Sequence, residues 1–333
     1  MNIDCREKNI WKLLYVITSE ITFKDYGDVF RRYYGYTHKD SRRMLMDNLT
    51  YGLKELCRTN RDGSRATQAK RKEVLCLAAK QLRQDLGYRH LLKDTIKPKH
   101  VYALVALWTD AGVSNATIAG RMTHIRWWAR KVGREHVVKQ SNEAYGIGGR
   151  KYRSELSKAV DVADRTIEFI KDDYVQASLR LAKEFGLRKQ EALLIHPSLA
   201  DKGDHLWLKD TWCKGKRERT IPIVTESQRH ALDKAKEIAR NRSLIPEEKN
   251  LKQQLNHYEY ITQKNLLFKL HGLRHRYAQL RYRELTGWES PYAGGPSATV
   301  LNAEQRVRDE EVRLQISGEL GHGRISVVKT YLG

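Results

Sequence analysis

The chain has 333 residues, 40% of them hydrophobic, and is long enough for two or three domains with cores of their own. Lys and Arg number 62 against 40 Asp and Glu, and the formal charge of +22 points to a polyanionic partner, nucleic acid ahead of a membrane surface. The most apolar early piece, Ile10 to Ile21, is short and broken by Lys12 and Glu20; with no run near about eighteen apolar residues and no signal-peptide pattern, a membrane span is excluded and the expected setting is the cytoplasm.

Four cysteines, Cys5, Cys57, Cys76 and Cys213, lie far apart without a CxxC pair, so neither a disulfide framework nor a zinc ribbon is indicated. Residues 1 to about 40 mix Tyr26, Phe30, Tyr33, Tyr34 and Tyr36 with Arg31, Arg32 and Lys39. Two readings stay open for this piece, an extension packed on its neighbour and an accessory DNA contact. Leu45, Leu49, Leu53 and Leu56 predict a helix, which Asp62-Gly63 breaks.

Between Thr67 and about Val138 the spacing predicts a small helical domain. Val74, Leu75, Ala78 and Leu82 mark one helix, and Val101, Leu104, Val105 and Trp108 a second. A third, capped by Ser114-Asn115, carries Ile118, Met122, Ile125, Ala129 and Val132 on one face. Residues 61–135 hold sixteen Lys and Arg against six Asp and Glu. Any one of these charges reads as a solvated side chain, but together they favour a DNA-facing surface, with Arg121, Arg126 and Arg130 off the apolar stripe as its candidates. Glycines 146, 148 and 149 followed by Lys151 and Arg153 mark a basic, flexible linker, and both cations are candidate backbone contacts.

The second half opens with a helical run from Asp172 to Phe185, then Gly186-Leu187-Arg188, where the glycine turns Arg188 inward toward Glu191 one helical turn on. Strand-like pieces at His205 to Leu208 and Arg219 to Val224 flank a turn whose basic tip, Lys214-Gly215-Lys216, suits a phosphate or a plain solvated loop. Helices are predicted again from Glu226 to Arg240 and from Gly272 to about Leu285. Near the end stand His271-Gly272-Leu273-Arg274-His275 and Leu320-Gly321-His322, the latter nine positions before Tyr331. An arginine fork for phosphate oxygens, imidazoles for protons and a phenol as nucleophile are what attack on a phosphodiester needs, with no metal or other cofactor. His271 and His275 alone have zinc-ligand spacing, but no metalloprotease glutamate follows the first and no cysteine is near. Tyr331 alone is one of seventeen tyrosines, and only the combination singles it out.

These motifs resemble the tyrosine recombinases, the phage-type integrases: Gly-Leu-Arg-x-x-Glu at 186–191, Lys-Gly before Arg-Thr-Ile-Pro at 214–222, His-x-x-Arg-His at 271–275, and Leu-Gly-His at 320–322 ahead of Tyr331. The resemblance implies a mainly helical fold with a small β-sheet. An N-terminal extension of unassigned role (1–63), a helical, SAM-like core-binding domain (64–139), a linker (140–157) and a mixed α/β catalytic domain (158–333) would follow in order. It also implies that Arg188 and Arg274 clamp the scissile phosphate, Lys214 protonates the departing 5′ oxygen, His271 assists proton transfer at the nucleophile, and His322 hydrogen-bonds the phosphate. Tyr331 would form a 3′-phosphotyrosyl link, with Glu191 and His275 in support. Arg121, Arg126, Arg130, Lys151, Arg153 and Lys216 would bind DNA.

The partners so implied are double-stranded DNA, three further copies in a tetramer that passes through a Holliday junction, and accessory DNA-bending proteins, in the integration or excision of a mobile element. Two alternatives share part of the evidence: a type IB topoisomerase or resolvase with the same chemistry, and a catalytically idle DNA-binding regulator. The sequence departs from the family at two places. Arg274 and His322 are 48 positions apart, with the surplus expected at Thr286 to Val312 as a subunit contact or surface loop, and only Leu332 and Gly333 follow the tyrosine, which implies either a shortened chain or assembly through another element.

Overall fold

A computed structural model describes residues 48–149, 156–322 and 324–333. The chain divides into two compact units, 1–151 and 152–333, each with its own apolar core. Among the described residues no helix is long and apolar enough to cross a membrane.

In the first unit, α1 (Asn48–Thr59) packs Leu49, Leu53 and Leu56 against α2 (Arg65–Lys80), and α3 (Pro98–Asp110) and α4 (Asn115–Lys131) complete the core. The helix starts are local chemistry: the hydroxyls of Ser64 and Ser114 accept the N–H of Thr67 and Thr117, and Pro98 opens α3 where its missing N–H costs nothing. The apolar residues predicted for the three helices are buried, Val132 partly. Trp127 and Trp128 join them, and the Trp128 indole donates to the Lys93 carbonyl at 2.8 Å.

Two boundaries differ from the sequence expectation. The described part of the supposed extension 1–63 contributes α1 to the core. From the supposed linker, Ile147 is buried in that same core with Tyr145 packed on it, and the Tyr145 hydroxyl accepts the Lys139 N–H at 2.8 Å. Leucines at helical spacing and one buried isoleucine bind these segments down despite their polar neighbours. Residues 1–47, with the aromatic cluster, and Lys151 and Arg153 lie outside the described residues.

The second unit begins with a short helix, α5 (Asp164–Glu168), and then α6 (Asp173–Phe185), which packs on α9 (Glu226–Ala239) and α11 (Gly272–Thr286). Between them lie α7 (Lys189–Leu194), α8 (Pro197–Ala200) and an antiparallel pair, β1 (His205–Leu208) and β2 (Arg219–Pro222), with Leu206 opposite Ile221 and Leu208 opposite Arg219. The chain closes with α10 (Leu251–Lys264) before α11, then α12 (Ala303–Glu319) and α13 (Lys329–Leu332).

Thr286 to Val312 is therefore only partly a loop. From Ala303 it is helix α12, and Asp309 and Val312 are buried. Asp309 accepts the Tyr282 hydroxyl at 2.5 Å and the Arg313 Nε at 2.8 Å, and the Trp288 indole donates to the same hydroxyl at 3.1 Å. Sequence periodicity passed over α12 and α10 because their inward positions include Asp309, Arg313, Gln254 and Thr262 rather than an apolar stripe.

Candidate active site

The site is assembled where the end of α6, the starts of α7 and α11, and the turn after α12 meet. Gly186 closes α6 at φ +61, and a Cβ there would lie 2.6 Å from the Tyr277 ring, so glycine is required twice over. Two residues on, Arg188 caps α7. Glu191 reaches back to its backbone N–H at 2.9 Å and to its guanidinium at 2.6 Å. The Glu191 carboxylate is about 1% exposed; burial alone would raise its pKa, but Arg219 and then Arg188 outweigh burial and hold it at about 2.

Arg274, in the first turn of α11, is also about 1% exposed. A buried guanidinium is tolerable only with its N–H groups satisfied. Here Nη1 donates to the Gly186 carbonyl at 2.7 Å, Nη2 to the Leu320 carbonyl, and Nε to the Tyr331 hydroxyl at 3.4 Å, while His322 Nε2 stands 3.4 Å from Nη2. Burial, then repulsion from Arg188, lowers its pKa to about 10, which still leaves it charged at neutral pH.

Tyr331 is buried on the four-residue α13, whose backbone is held by Gln279 donating to the Tyr331 carbonyl at 3.0 Å. Three imidazoles surround its ring: His275 at 4.5 Å between centroids, His322 at 5.4 Å and His271 at 6.3 Å. Burial first and nearby cations second, with His271 itself counted among them for His275, lower His322 to about 3 and His275 to about 4. Both are neutral at pH 7. Exposed His271 is shifted down for the same reasons, crowding on its inner side and then Arg274 and Arg188. Among the described residues, the buried Nδ1 of His275 has no hydrogen-bond partner.

The structure thus brings Arg188, Glu191, His271, Arg274, His275, His322 and Tyr331 together. Lys214 is exposed at the tip of the β1–β2 turn, as is Lys216 at φ +51, and among the described residues no hydrogen bond or ion pair ties Lys214 to the cluster. In the first unit, Arg126 is half-buried and engaged: it donates to the Lys139 carbonyl at 2.9 Å and to Asn142 at 2.8 Å. Arg121 lies over the Trp108 ring at 5.0 Å, and Arg130 is exposed.

Sequence reading missed Arg219. It donates from Nη2 to Glu191 at 2.7 Å, from Nε to the Glu319 carbonyl at 2.8 Å, and from Nη1 to Cys213 Sγ at 3.1 Å. A signal was present: buried Ile221 sets the inner face of β2, and strand alternation puts Arg219 on that same face.

The family model "Phage integrase, N-terminal" matches residues 46–138, and the model "Integrase" matches residues 149–280, a range that holds Arg188, Lys214, His271, Arg274 and His275 but ends before His322 and Tyr331. No curated protein matches the chain. Among solved structures, a lambda integrase tetramer bound to a Holliday junction is 15% identical, with a TM-score of 0.56 over 93% of this chain and 85% of that one. The XerH site-specific recombinase bound to a palindromic difH substrate is 15% identical, with a TM-score of 0.54 over 85% of this chain and 81% of its own. A Tn1549 transposon integrase with circular intermediate DNA is 11% identical, with a TM-score of 0.51 over 86% of this chain and 96% of its own. At such identities the likeness is one of fold.

Proposed function

We propose that this chain, a member of the tyrosine recombinase family, the phage-type integrases, and a DNA recombinase, cuts and rejoins specific sites through a 3′-phosphotyrosyl bond made by Tyr331, in the integration or excision of a mobile element. The observation that carries this reading is the Arg274–Tyr331 contact, a buried guanidinium set on the hydroxyl of a tyrosine ringed by three imidazoles.

In the reaction proposed, the Tyr331 oxygen attacks phosphorus as the bond to the 5′ oxygen breaks. Arg188 and Arg274 bear the charge that builds on the non-bridging oxygens, where fixed donors act most strongly. His271 takes the phenol proton, neutral His322 donates to a phosphate oxygen, and Lys214 protonates the departing 5′ oxygen. This last step calls for the exposed tip of the β1–β2 turn to lie against bound DNA. Glu191 holds Arg188 in place, and His275 packs the tyrosine ring. The phosphotyrosyl ester conserves the energy of the broken strand, so the 5′-hydroxyl of another strand reverses the step without ATP. Four copies on two duplexes would pair such exchanges within the cytoplasm, a reading supported by the fold shared with a lambda integrase seen as a tetramer bound to a Holliday junction.

A suicide duplex nicked beside the cleavage site tests the reading. The wild-type protein is expected to form an adduct that survives a denaturing gel, and Tyr331→Phe to bind the same DNA with near-normal affinity and form none. An adduct from Tyr331→Phe would overturn the assignment, and its absence from the wild type would favour an idle DNA binder.

A further inference from the structure

We propose that Arg219 is a positioning residue of the cleavage reaction, a buried fork that sets the Lys214 turn against the Arg188 and His322 motifs. The inference rests on the recombinase reading above. Each edge of this guanidinium serves a different motif. Its Nη atoms hold Glu191, the carboxylate that also fixes Arg188. Nε holds the carbonyl of Glu319, the last residue of α12, which is followed at once by Leu320-Gly321-His322. Nη1 touches the thiol of buried Cys213, the residue before Lys214.

The His322 turn is shaped to this arginine. Gly321 adopts φ +65, and a Cβ there would come 2.9 Å from Arg219 Cδ, so any other residue would push the turn off. Glu319 is in turn immobilised by the Tyr277 hydroxyl at 2.8 Å, by Arg281 at 3.2 Å and by Gln315 at 3.0 Å. One rigid path therefore runs from α11 through the end of α12 to Arg219 and out to the β1–β2 turn. Stability alone does not call for it, because a well-packed apolar residue beside Ile221 commonly matches or exceeds a buried ion pair. Lysine cannot substitute, since a point charge lacks a planar fork that reaches three partners.

The test is single-turnover cleavage of the nicked duplex by the full chain, with ordinary DNA and with DNA carrying sulfur at the 5′ bridging position, a leaving group that needs no proton. Arg219→Met should cleave ordinary DNA about a hundredfold more slowly, on the scale of a lost transition-state donor. Its loss on the sulfur substrate should be distinctly smaller, and its DNA affinity unchanged. Arg219→Lys should recover only part of the rate. Equal losses on both substrates, or full recovery by lysine, would overturn the proposal. If Arg219→Met does not fold, Cys213→Ala removes the thiol contact alone: a shifted ratio of the two rates supports the proposal and an unchanged ratio overturns it. Absence of any adduct from the wild type would refute the recombinase reading itself, an outcome separate from these.

Discussion

Among the described residues, the unit of 48–149 buries aliphatic chains and tryptophans with two charged or titratable exceptions, Arg71 and His100, whereas the unit of 156–333 also buries Glu191, Arg219, Arg274, His275, Arg281, Asp309, Arg313 and Glu319. Apolar burial stabilises at roughly 25 cal/mol per Å² wherever it occurs. Buried charge adds little net stability, because desolvation offsets the attraction. The second unit therefore holds its charges for geometry. Planar forks on fixed acceptors orient side chains far more sharply than leucines do.

The sharpest way to break this contrast is to damage each interior by a similar amount. Glu191→Ala strands Arg188 and Arg219 and should cost about 3–5 kcal/mol. Trp128→Ala leaves a cavity and an unpaired Lys93 carbonyl at a similar cost of about 3–5 kcal/mol. Both should lower the denaturation midpoint. Measured on folded, DNA-saturated protein in the cold, only Glu191→Ala should slow single-turnover cleavage. A comparable slowing by Trp128→Ala would mean that the two interiors do not divide their labour in this way.

Acid should sharpen the contrast next. His100, His275 and His322 titrate at about 4, 4 and 3 in the fold, against about 6.5 in an unfolded chain. Their folded values are depressed, so the unfolded state binds more protons, and stability is fully present above about pH 6.5 and falls as the pH drops toward those folded values. For buried His100 and His275, each should cost roughly 2 kcal/mol at pH 5. Urea titrations of the full chain at pH 7 and pH 5 check this, with His275→Gln expected to flatten the dependence; equal midpoints at the two pH values in the wild type would contradict it.

The smallest effect expected concerns the DNA surface proposed on the first unit. Arg130→Gln should leave stability unchanged and reduce the salt slope of DNA binding by about one. Arg126→Gln should instead cost about 1–2 kcal/mol of stability, because it frees the Lys139 carbonyl and Asn142. A normal salt slope for Arg130→Gln, measured by anisotropy from low to moderate salt, would remove Arg130 from the interface.

Local pattern alone determined a good deal of this protein. The helices around Val74, Val101 and Ile118 were legible because their inner faces are apolar at a period of 3.6 residues, and Gly186 to Glu191 and His271 to His275 because each motif spans at most about two helical turns. Tertiary structure decided the rest. Arg219 meets Glu191 across 28 positions and Glu319 across 100, and Arg274 meets Tyr331 across 57. Helix α12 stayed hidden for the same reason: Asp309 and Arg313 look solvated until Tyr282 and the Gly333 carbonyl are folded against them. A charged side chain belongs inside only when all its hydrogen-bonding groups find partners, and here a share of those partners arrives from distant parts of the chain that no local window contains.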